Sequence, residues 1–276
     1  RLPYREHVPL TVIAGVAGAF SQALREQIAK GLGRMFPAIR VIVTDDKHPL
    51  LFANCGVGAG IVVIAGTGSA ALAQGAGGER AAVGGRGTLF GDEGSAYHLA
   101  VRALRAAAHA EDSRGPSTTL TDAFMARLGC SDFADVTRWA LGASKAQVAG
   151  LAPVVTSVAA DGDGVACRCV DVEANVLVDQ VLAVKTRLHL DDQVAVYYHG
   201  GLIEGAAAYR VAFVKAAREA NLRGPVEPAP AYGHGAVVAL GNQPVLFADM
   251  ADYRFEELAP IRPAAEVKRS ASPTEE

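Results

Sequence analysis

The amino-acid sequence predicts an α/β protein, and two observations carry this prediction. Short β-branched or apolar runs that fit buried strands alternate with stripes of helical spacing before residue 60, and strand character returns after residue 194. Between these regions, from Glu93 to about Leu188, the pattern is helical. The chain has 276 residues, half of them hydrophobic, so it can bury a sizeable core as one large domain or two smaller ones.

The first part of the chain alternates between strand and helix. Apolar residues recur on one helical face at Ala23, Leu24, Ile28 and Leu32. The elements predicted here are a strand over 10–14, a helix over 21–35, a strand over 39–44 and a helix over 49–55.

A glycine-rich hairpin is the most informative local pattern. The run 61–64 (IVVI) suits a buried strand, residues 66–69 (GTGS) break it, and 70–73 is apolar again. Glycines let the backbone approach a ligand, and a turn of this kind can aim N–H groups and hydroxyls at phosphate oxygens. A glycine-rich β-meander that binds no ligand remains the alternative for any single turn of this type.

Three further glycine clusters follow the hairpin, at 75–78 (GAGG), 84–87 (GGRG) and 91–95 (GDEGS). A helix is predicted over 97–109, so Asp92 and Glu93 are expected at its start, where the helix dipole favours carboxylates. The combination of clusters is more specific for a ligand site than one turn alone.

The rest of the chain predicts mostly helices. The elements are helices over 121–128, 133–141, 147–160 and 167–188, a strand over 194–198, a helix over 207–220, an extended stretch over 225–231 and a last core helix within 232–240. Residues 264–276 are polar and charged with prolines, and are expected to be disordered.

Composition argues against several classes of function. The formal net charge is −3 without a large basic block, so no nucleic-acid partner is expected. No apolar run approaches the ~20 residues of a membrane span, and no signal peptide is visible. Cys167 and Cys169 could form a redox or metal pair, but helical spacing points their side chains apart. Reduced cysteines and a cytoplasmic location are therefore expected.

Several of these motifs together resemble one family. GTGS, GGRG, GDEGSAY, the pair Gly200-Gly201 and GHGA at 233–236 are similar to the N-acetylglucosamine kinases and the BadF/BadG/BcrA/BcrD ATPases of the actin-like ATPase superfamily. The resemblance implies a two-lobed α/β fold of the ribonuclease H-like type. We expect an incomplete N-terminal lobe over 1–92, a C-terminal lobe over 93–263 and a tail over 264–276.

The resemblance also implies which residues bind ligands. ATP would be bound with Mg²⁺, and the amino sugar would lie beside it. The implied ATP contacts are Thr67, Gly68, Gly200 and Gly201, and the implied sugar contacts are Ser69, Ala70, Gly85, Arg86, Gly87 and Asp92. No residue of this chain is assigned as a metal ligand.

Asp45 is the candidate catalytic residue. It follows a strand in VIVTDD, where the kinases resembled carry STD or TND and an aspartate base. Such a base would accept the proton of the sugar 6-hydroxyl as that oxygen attacks the γ-phosphate. An aspartate after a strand can instead cap the next helix, and Asp46 is a neighbouring alternative for the base.

Two departures from the family pattern bear on activity. The first phosphate loop, a DGGGT-like hairpin whose aspartate helps hold Mg²⁺, has no counterpart in residues 1–9, so weak ATP binding is expected unless the protein is longer. Arg86 replaces the tryptophan common in the GGWG motif. A guanidinium there would favour a more polar or anionic substrate.

The function expected from the sequence is ATP-dependent phosphorylation of N-acetylglucosamine or glucosamine at the 6-hydroxyl. One alternative is a BadF-type ATPase that activates a partner enzyme. Another is a catalytically impaired module that senses sugar or nucleotide. The family often dimerises, so the resemblance also implies a possible homodimer.

Overall fold

The computed structural model describes residues 11–16, 19, 21–35, 40–45, 48–56, 58–230 and 251–254, with the backbone alone for Thr11, Asp45 and 251–254. The strands are β1 (Thr11–Val16), β2 (Arg40–Asp45), β3 (Gly60–Ala65), β4 (Ser69–Gln74), β5 (Arg80–Gly84), β6 (Val196–His199), β7 (Val226–Pro228) and β8 (Ala251–Arg254). The helices are α1 (Gln22–Met35), α2 (His48–Cys55), α3 (Ala96–Glu111), α4 (Leu120–Leu128), α5 (Phe133–Gly142), α6 (Lys145–Ala149), α7 (Ala152–Ala160), α8 (Gly164–Arg187), α9 (Gly201–Gly205) and α10 (Ala207–Glu219).

The chain divides into two compact units, 1–46 with 243–276 and 47–242. In the first unit, β1 and β2 run parallel and are connected through α1, while β8 pairs antiparallel with the other edge of β2. Ala29 of α1 packs against Val41 and Val43 of β2. Of the predicted apolar stripe, Ile28 and Leu32 pack against this cluster, whereas Ala23 and Leu24 are exposed. The predicted strand, helix and strand of this region are confirmed.

The second unit is built on a five-stranded sheet in the order β5-β4-β3-β6-β7. The central strand β3 pairs antiparallel with β4 and parallel with β6. The hairpin predicted from the glycine pattern is therefore confirmed. This order, with an antiparallel hairpin beside parallel strands, is that of a ribonuclease H-like fold.

Helices cover both faces of this sheet, which explains the unbroken apolar run of β3. Ile61 and Val63 belong to the main core with buried residues of α3, α8 and α10. Val62 lies in a second cluster with Leu50 and Leu51 of α2. A strand buried on both faces has no polar alternation, so it reads IVVI in the sequence.

The division between units differs from the boundary expected at 92–93. The hairpin β3–β4 pairs with β6 through β3, and α8 packs against β3, β4 and β5. Residues on both sides of 92 therefore share one sheet and one core, and the boundaries fall at 46–47 and 242–243. The helix predicted over 147–160 is likewise two helices, α6 and α7, separated at Gly150-Leu151.

Some predictions lie outside the described residues, namely the last core helix within 232–240, the GHGA motif and the tail 264–276. Within the described ranges, no helix is both long and apolar enough to cross a membrane.

Candidate functional site

The turn at residues 66–68 joins the central strand β3 to β4. The Gly66 N–H donates to the Gly68 carbonyl at 2.9 Å, which closes the turn. The Gly66 carbonyl accepts from the N–H of Ala96, the first residue of α3, at 2.9 Å. The turn is thus held at both ends, and Thr67 remains exposed at its tip.

The second glycine pair lies beside this turn. Because β6 runs parallel to β3 with Ile64 opposite His199, both strands end at the same edge of the sheet. Gly200 follows with φ of +118°, and a Cβ atom there would lie 2.6 Å from the Ala65 carbonyl oxygen. Only glycine fits this close approach. It leads directly into Gly201, the first residue of α9.

A cleft of about 390 Å³ opens between these two glycine segments. Its walls come from the 66–68 turn, the first residue of α3, the junction of α6 and α7, and α9. Small or apolar residues dominate the lining, which includes Gly66, Thr67, Ala96, Gly150, Pro153, Thr156, Gly201 and Ala206. The volume suits a small ligand, and the glycines of the lining, which have no side chain, let such a ligand approach the backbone closely.

Asp92 lies next to the turn and not at the start of α3. It is buried, with φ of +64°, a left-handed conformation that aspartate tolerates better than most residues. Its Oδ1 accepts from the Ser69 N–H at 3.2 Å, and its Oδ2 lies 2.6 Å from Lys145 Nζ.

The expectation that Asp92 and Glu93 begin the helix is corrected by this geometry. Ser95 is the N-cap of α3, and its Oγ accepts from the His98 N–H at 3.3 Å. The first turn of α3 contains no acidic residue. The side chain of Asp92 is therefore held by the Ser69 N–H and the Lys145 amine instead of by the helix dipole.

The hydroxyl of Ser69 is engaged inside the protein. It donates to the Glu93 carbonyl at 2.5 Å and accepts from Gln180 Nε2 at 3.2 Å. Gln180 Nε2 also donates to the same Glu93 carbonyl at 2.8 Å. Ser69 and Ala70, both predicted to contact sugar, are buried at the start of β4.

The segment Gly85–Gly87 leaves β5 and lies near this network. The Gly85 N–H donates to the Ser69 carbonyl at 2.8 Å, and both Gly85 and Gly87 have positive φ. Arg86 is exposed, and a Cβ atom on Gly91 would lie 3.1 Å from the Arg86 Cβ. The Arg86 backbone therefore passes close to the residue that precedes Asp92.

Gly94 fixes the 91–95 segment to helices α8 and α10. Glu173, buried on α8, accepts from the Gly94 N–H through Oε2 and from Arg102 Nε through Oε1, both at 2.7 Å. The Tyr209 hydroxyl donates to the Gly94 carbonyl at 2.5 Å. Burial raises the pKa of Tyr209 well above its usual value, so this hydroxyl keeps its proton.

Asp45 ends β2 in the first unit, where its backbone pairs with that of Val16. The Asp45 side chain and the whole of Asp46 lie outside the described residues. Its role as a base, and its approach to the 66–68 turn, remain predictions.

Within the described part of the chain, no three His, Cys, Asp or Glu side chains come together in a group that could hold a metal ion. The four cysteines are free thiols, and Cys167 and Cys169 lie on α8 as the helical pattern predicted.

Sequence reasoning missed four residues that hold this site from other helices, namely Lys145, Glu173, Gln180 and Tyr209. Glu173 and Gln180 lie seven residues apart on α8, and both are buried. Polar residues at that spacing within an apolar helical face could have indicated a buried network. Lys145 carried no comparable pattern.

The sheet order and the glycine hairpin are those of the ribonuclease H-like α/β fold of the actin-like ATPase superfamily. The model of the BadF/BadG/BcrA/BcrD ATPase family matches residues 6–240. The chain belongs to that family, and the resemblance seen in its motifs is confirmed.

Two relatives carry kinase names. An N-acetylmuramic acid/N-acetylglucosamine kinase from Clostridium acetobutylicum is 31% identical over 198 residues, 70% of this chain and 64% of that protein. An N-acetyl-D-glucosamine kinase from Dictyostelium discoideum is 33% identical over 150 residues, 52% of this chain and 47% of that protein. The matched region thus spans less than two thirds of either relative.

Solved structures show the same fold. A candidate N-acetylglucosamine kinase from Chromobacterium violaceum is similar at a TM-score of 0.66 and 26% identity, over 85% of this chain and 78% of that one. A second, from Porphyromonas gingivalis, has a TM-score of 0.58 at 20% identity, over 83% of this chain and 76% of that one.

Proposed function

We propose that this protein is a hexosamine kinase that transfers the γ-phosphoryl group of ATP to the 6-hydroxyl of N-acetylglucosamine or glucosamine. The observation that carries the proposal is the cleft between the 66–68 turn and the Gly200-Gly201 pair, with the buried carboxylate of Asp92 beside it. Membership of the ATPase family and the kinase names of the two relatives support the assignment.

In this proposal the nucleotide lies in the cleft. Thr67 and Gly68 contact its phosphates, because the turn offers backbone N–H groups and one exposed hydroxyl. Gly200 and Gly201 contact the nucleoside, since the absence of side chains lets the ligand approach the backbone. Mg²⁺ would neutralise phosphate charge, as is usual in phosphoryl transfer, and we assign it no residue of this chain.

The sugar is assigned to the side of the 66–68 turn on which Asp92 lies, away from the proposed nucleotide cleft. Asp92 would accept hydrogen bonds from sugar hydroxyls, with Ser69, Ala70 and Gly85–Gly87 around it. The exposed guanidinium of Arg86 adds a cation to this side. Because a carboxylate pairs well with arginine, N-acetylmuramic acid, an anionic sugar named for one relative, belongs in the substrate panel.

Asp45 is the proposed general base, and substitution by asparagine separates this role from helix capping. Asparagine caps a helix about as well as aspartate but cannot accept the proton. A base of this kind contributes about 10²–10⁴-fold to the rate. We therefore expect Asp45→Asn to lower kcat by that factor and to leave ATP binding nearly unchanged.

The assay is ADP release coupled to a spectrophotometric readout, with glucosamine, N-acetylglucosamine and N-acetylmuramic acid as acceptors. Turnover that depends on one of these sugars supports the kinase. Full activity of Asp45→Asn would refute the base assignment, and Asp46→Asn then tests the neighbouring carboxylate. Asp132→Asn, which alters the exposed N-cap of α5, is the matched control and should keep full activity.

The family description favours one second candidate, an ATPase that activates a partner enzyme. An activator of that type would hydrolyse ATP without sugar and contain iron. Sugar-independent ATP hydrolysis by a brown, iron-containing protein would refute the kinase proposal and support the activator. Absence of both turnover and ATP binding would leave a sensing module as the remaining function.

A further inference from the structure

Lys145 brings a positive charge to the second glycine of the 66–68 turn. Its Nζ lies 2.6 Å from Asp92 Oδ2 and 3.3 Å from the position that a Cβ atom on Gly68 would occupy. The amine therefore lies close to Gly68, which the proposed function assigns to phosphate binding.

The start of α6 fixes Lys145 in this place. Ser144 and Gln147 form a capping box, in which the Ser144 N–H donates to Gln147 Oε1 at 2.8 Å and Ser144 Oγ accepts from the Gln147 N–H at 3.4 Å. Ala146 and Ala149 of the same short helix line the cleft beside the turn. Lys145 is thus fixed at the first position of a helix whose next residue lines the cleft.

The Lys145 amine keeps hydrogen-bonding capacity beyond its ion pair with Asp92. An ammonium group has three donors, and Asp92 accepts from one of them. The Lys145 side chain is 38% exposed, whereas that of Asp92 is 5% exposed. None of the described residues that line the cleft carries a charge, so a cation for a nucleotide phosphate there has to come from a neighbouring residue. Lys145 directly precedes the lining residue Ala146.

We propose that Lys145 contacts the phosphates of the bound nucleotide and thereby couples nucleotide binding to sugar binding. The inference rests on the proposed function of the cleft. A phosphate that draws the ammonium away frees Asp92 Oδ2 to accept a hydrogen bond from a sugar hydroxyl. The nucleotide should therefore tighten sugar binding, and by linkage the sugar should tighten nucleotide binding.

Binding of ADP, measured by isothermal titration calorimetry, tests the phosphate contact. Loss of one charge-assisted hydrogen bond weakens binding about 10- to 100-fold, so we expect that loss for Lys145→Met and for Lys145→Gln. The matched control is Lys185→Met, which removes a lysine that forms a 2.7 Å ion pair with Asp192 at the end of α8. The control should bind ADP within about twofold of the wild type.

Asp92→Asn separates a direct contact from an indirect one. Asparagine keeps an acceptor for the Ser69 N–H but removes the charge that competes for Lys145. If Lys145 contacts phosphate directly, Asp92→Asn binds ADP at least as tightly as the wild type. If Lys145 serves only to hold Asp92, Asp92→Asn weakens ADP binding as much as Lys145→Met does, and the inference is overturned.

The coupling is measured as the affinity for N-acetylglucosamine with and without ADP. The wild type should bind the sugar more tightly with ADP present, and Lys145→Gln should show no such gain. Equal gains in both proteins, or equal ADP affinity in the wild type and both lysine variants, would overturn the inference alone. Failure of the wild type to bind ADP would overturn the proposed nucleotide site as well, and so is a distinct result.

Discussion

Removal of the Glu173 side chain should destabilise the larger unit by a predictable amount. The side chain is 1% exposed and accepts hydrogen bonds from the Gly94 N–H and Arg102 Nε. In Glu173→Ala, the Gly94 N–H loses its acceptor and Arg102 loses its counter-charge. The Arg102 side chain is 42% exposed, so water can solvate its guanidinium after the change.

The magnitude follows from these environments. An unsatisfied buried donor costs about 1–3 kcal/mol, and the buried CH₂ groups removed add about 1 kcal/mol. The half-exposed ion pair adds at most about 1 kcal/mol. We therefore expect Glu173→Ala to lower the free energy of unfolding by about 3 kcal/mol, and Glu173→Gln, which keeps an acceptor for Gly94, by about 1 kcal/mol. For a unit of this size the first value corresponds to a Tm decrease of about 6–12 °C.

Urea unfolding followed by circular dichroism, with calorimetry for Tm, measures both values. Asp112→Asn is the control, because Asp112 pairs with Arg114 and both side chains are more than half exposed. It should change stability by less than about 0.5 kcal/mol. A cost for Glu173→Ala no larger than that of the control, or equal costs for Glu173→Gln and Glu173→Ala, would contradict the role of the Glu173 carboxylate as acceptor for Gly94.

Three other predictions follow from local geometry. Gly200→Ala should lower the free energy of unfolding in urea by about 2–3 kcal/mol, because Gly200 has a φ of +118° and a close backbone contact. Gly201→Ala should change it by less than about 1 kcal/mol, because there is open space at the Cβ position of Gly201. Equal costs for the two variants would contradict this prediction. Burial acts to raise the pKa of Asp163, but hydrogen bonds from backbone N–H groups and threonine hydroxyls outweigh it, and the net pKa is lowered. Asp163 is the N-cap of α8, where its Oδ1 accepts from the N–H groups of Val165 and Ala166. Its stabilisation is present above the unfolded pKa of about 4 and is lost as pH falls through the lower folded value. The cost of Asp163→Ala in urea unfolding, about 1 kcal/mol at pH 7, should therefore shrink toward pH 2, and a constant cost would contradict the lowered pKa. Burial raises the pKa of Cys55 to about 12 and that of Cys169 to about 11. Iodoacetamide at pH 8, with mass spectrometry as the readout, should therefore label both thiols far more slowly in native than in unfolded protein. Rapid labelling of the native protein would contradict the raised pKa values.

Local chemistry explains what the sequence could predict. The run 61–64 is apolar at every position because β3 is covered on both faces, and the glycines after it permit the turn. A helix such as α3 could be predicted from its apolar stripe. Its predicted start at 97 lies one residue from the observed start, but the acidic pair was wrongly placed at the helix start, because Ser95 supplies the cap.

Contacts between distant segments explain what the sequence could not predict. Lys145 meets Asp92, and Glu173 meets Gly94, across separations of 53 and 79 residues, for which no periodic pattern exists. The division into compact units at 46–47 and 242–243 could not be predicted for the same reason. The pairing of β3 with β6 merges segments that appear separate along the chain.

The return of β8 to β2 has a consequence for biosynthesis. The larger unit is one continuous stretch, so it can fold as soon as its last residue leaves the ribosome. The sheet of the smaller unit must wait, because Arg40 pairs with Arg254 and every residue between them is translated first. Until then one edge of β2 lacks its neighbour, so a nascent chain stalled before residue 251 would be open to chaperones, proteases and aggregation at that edge.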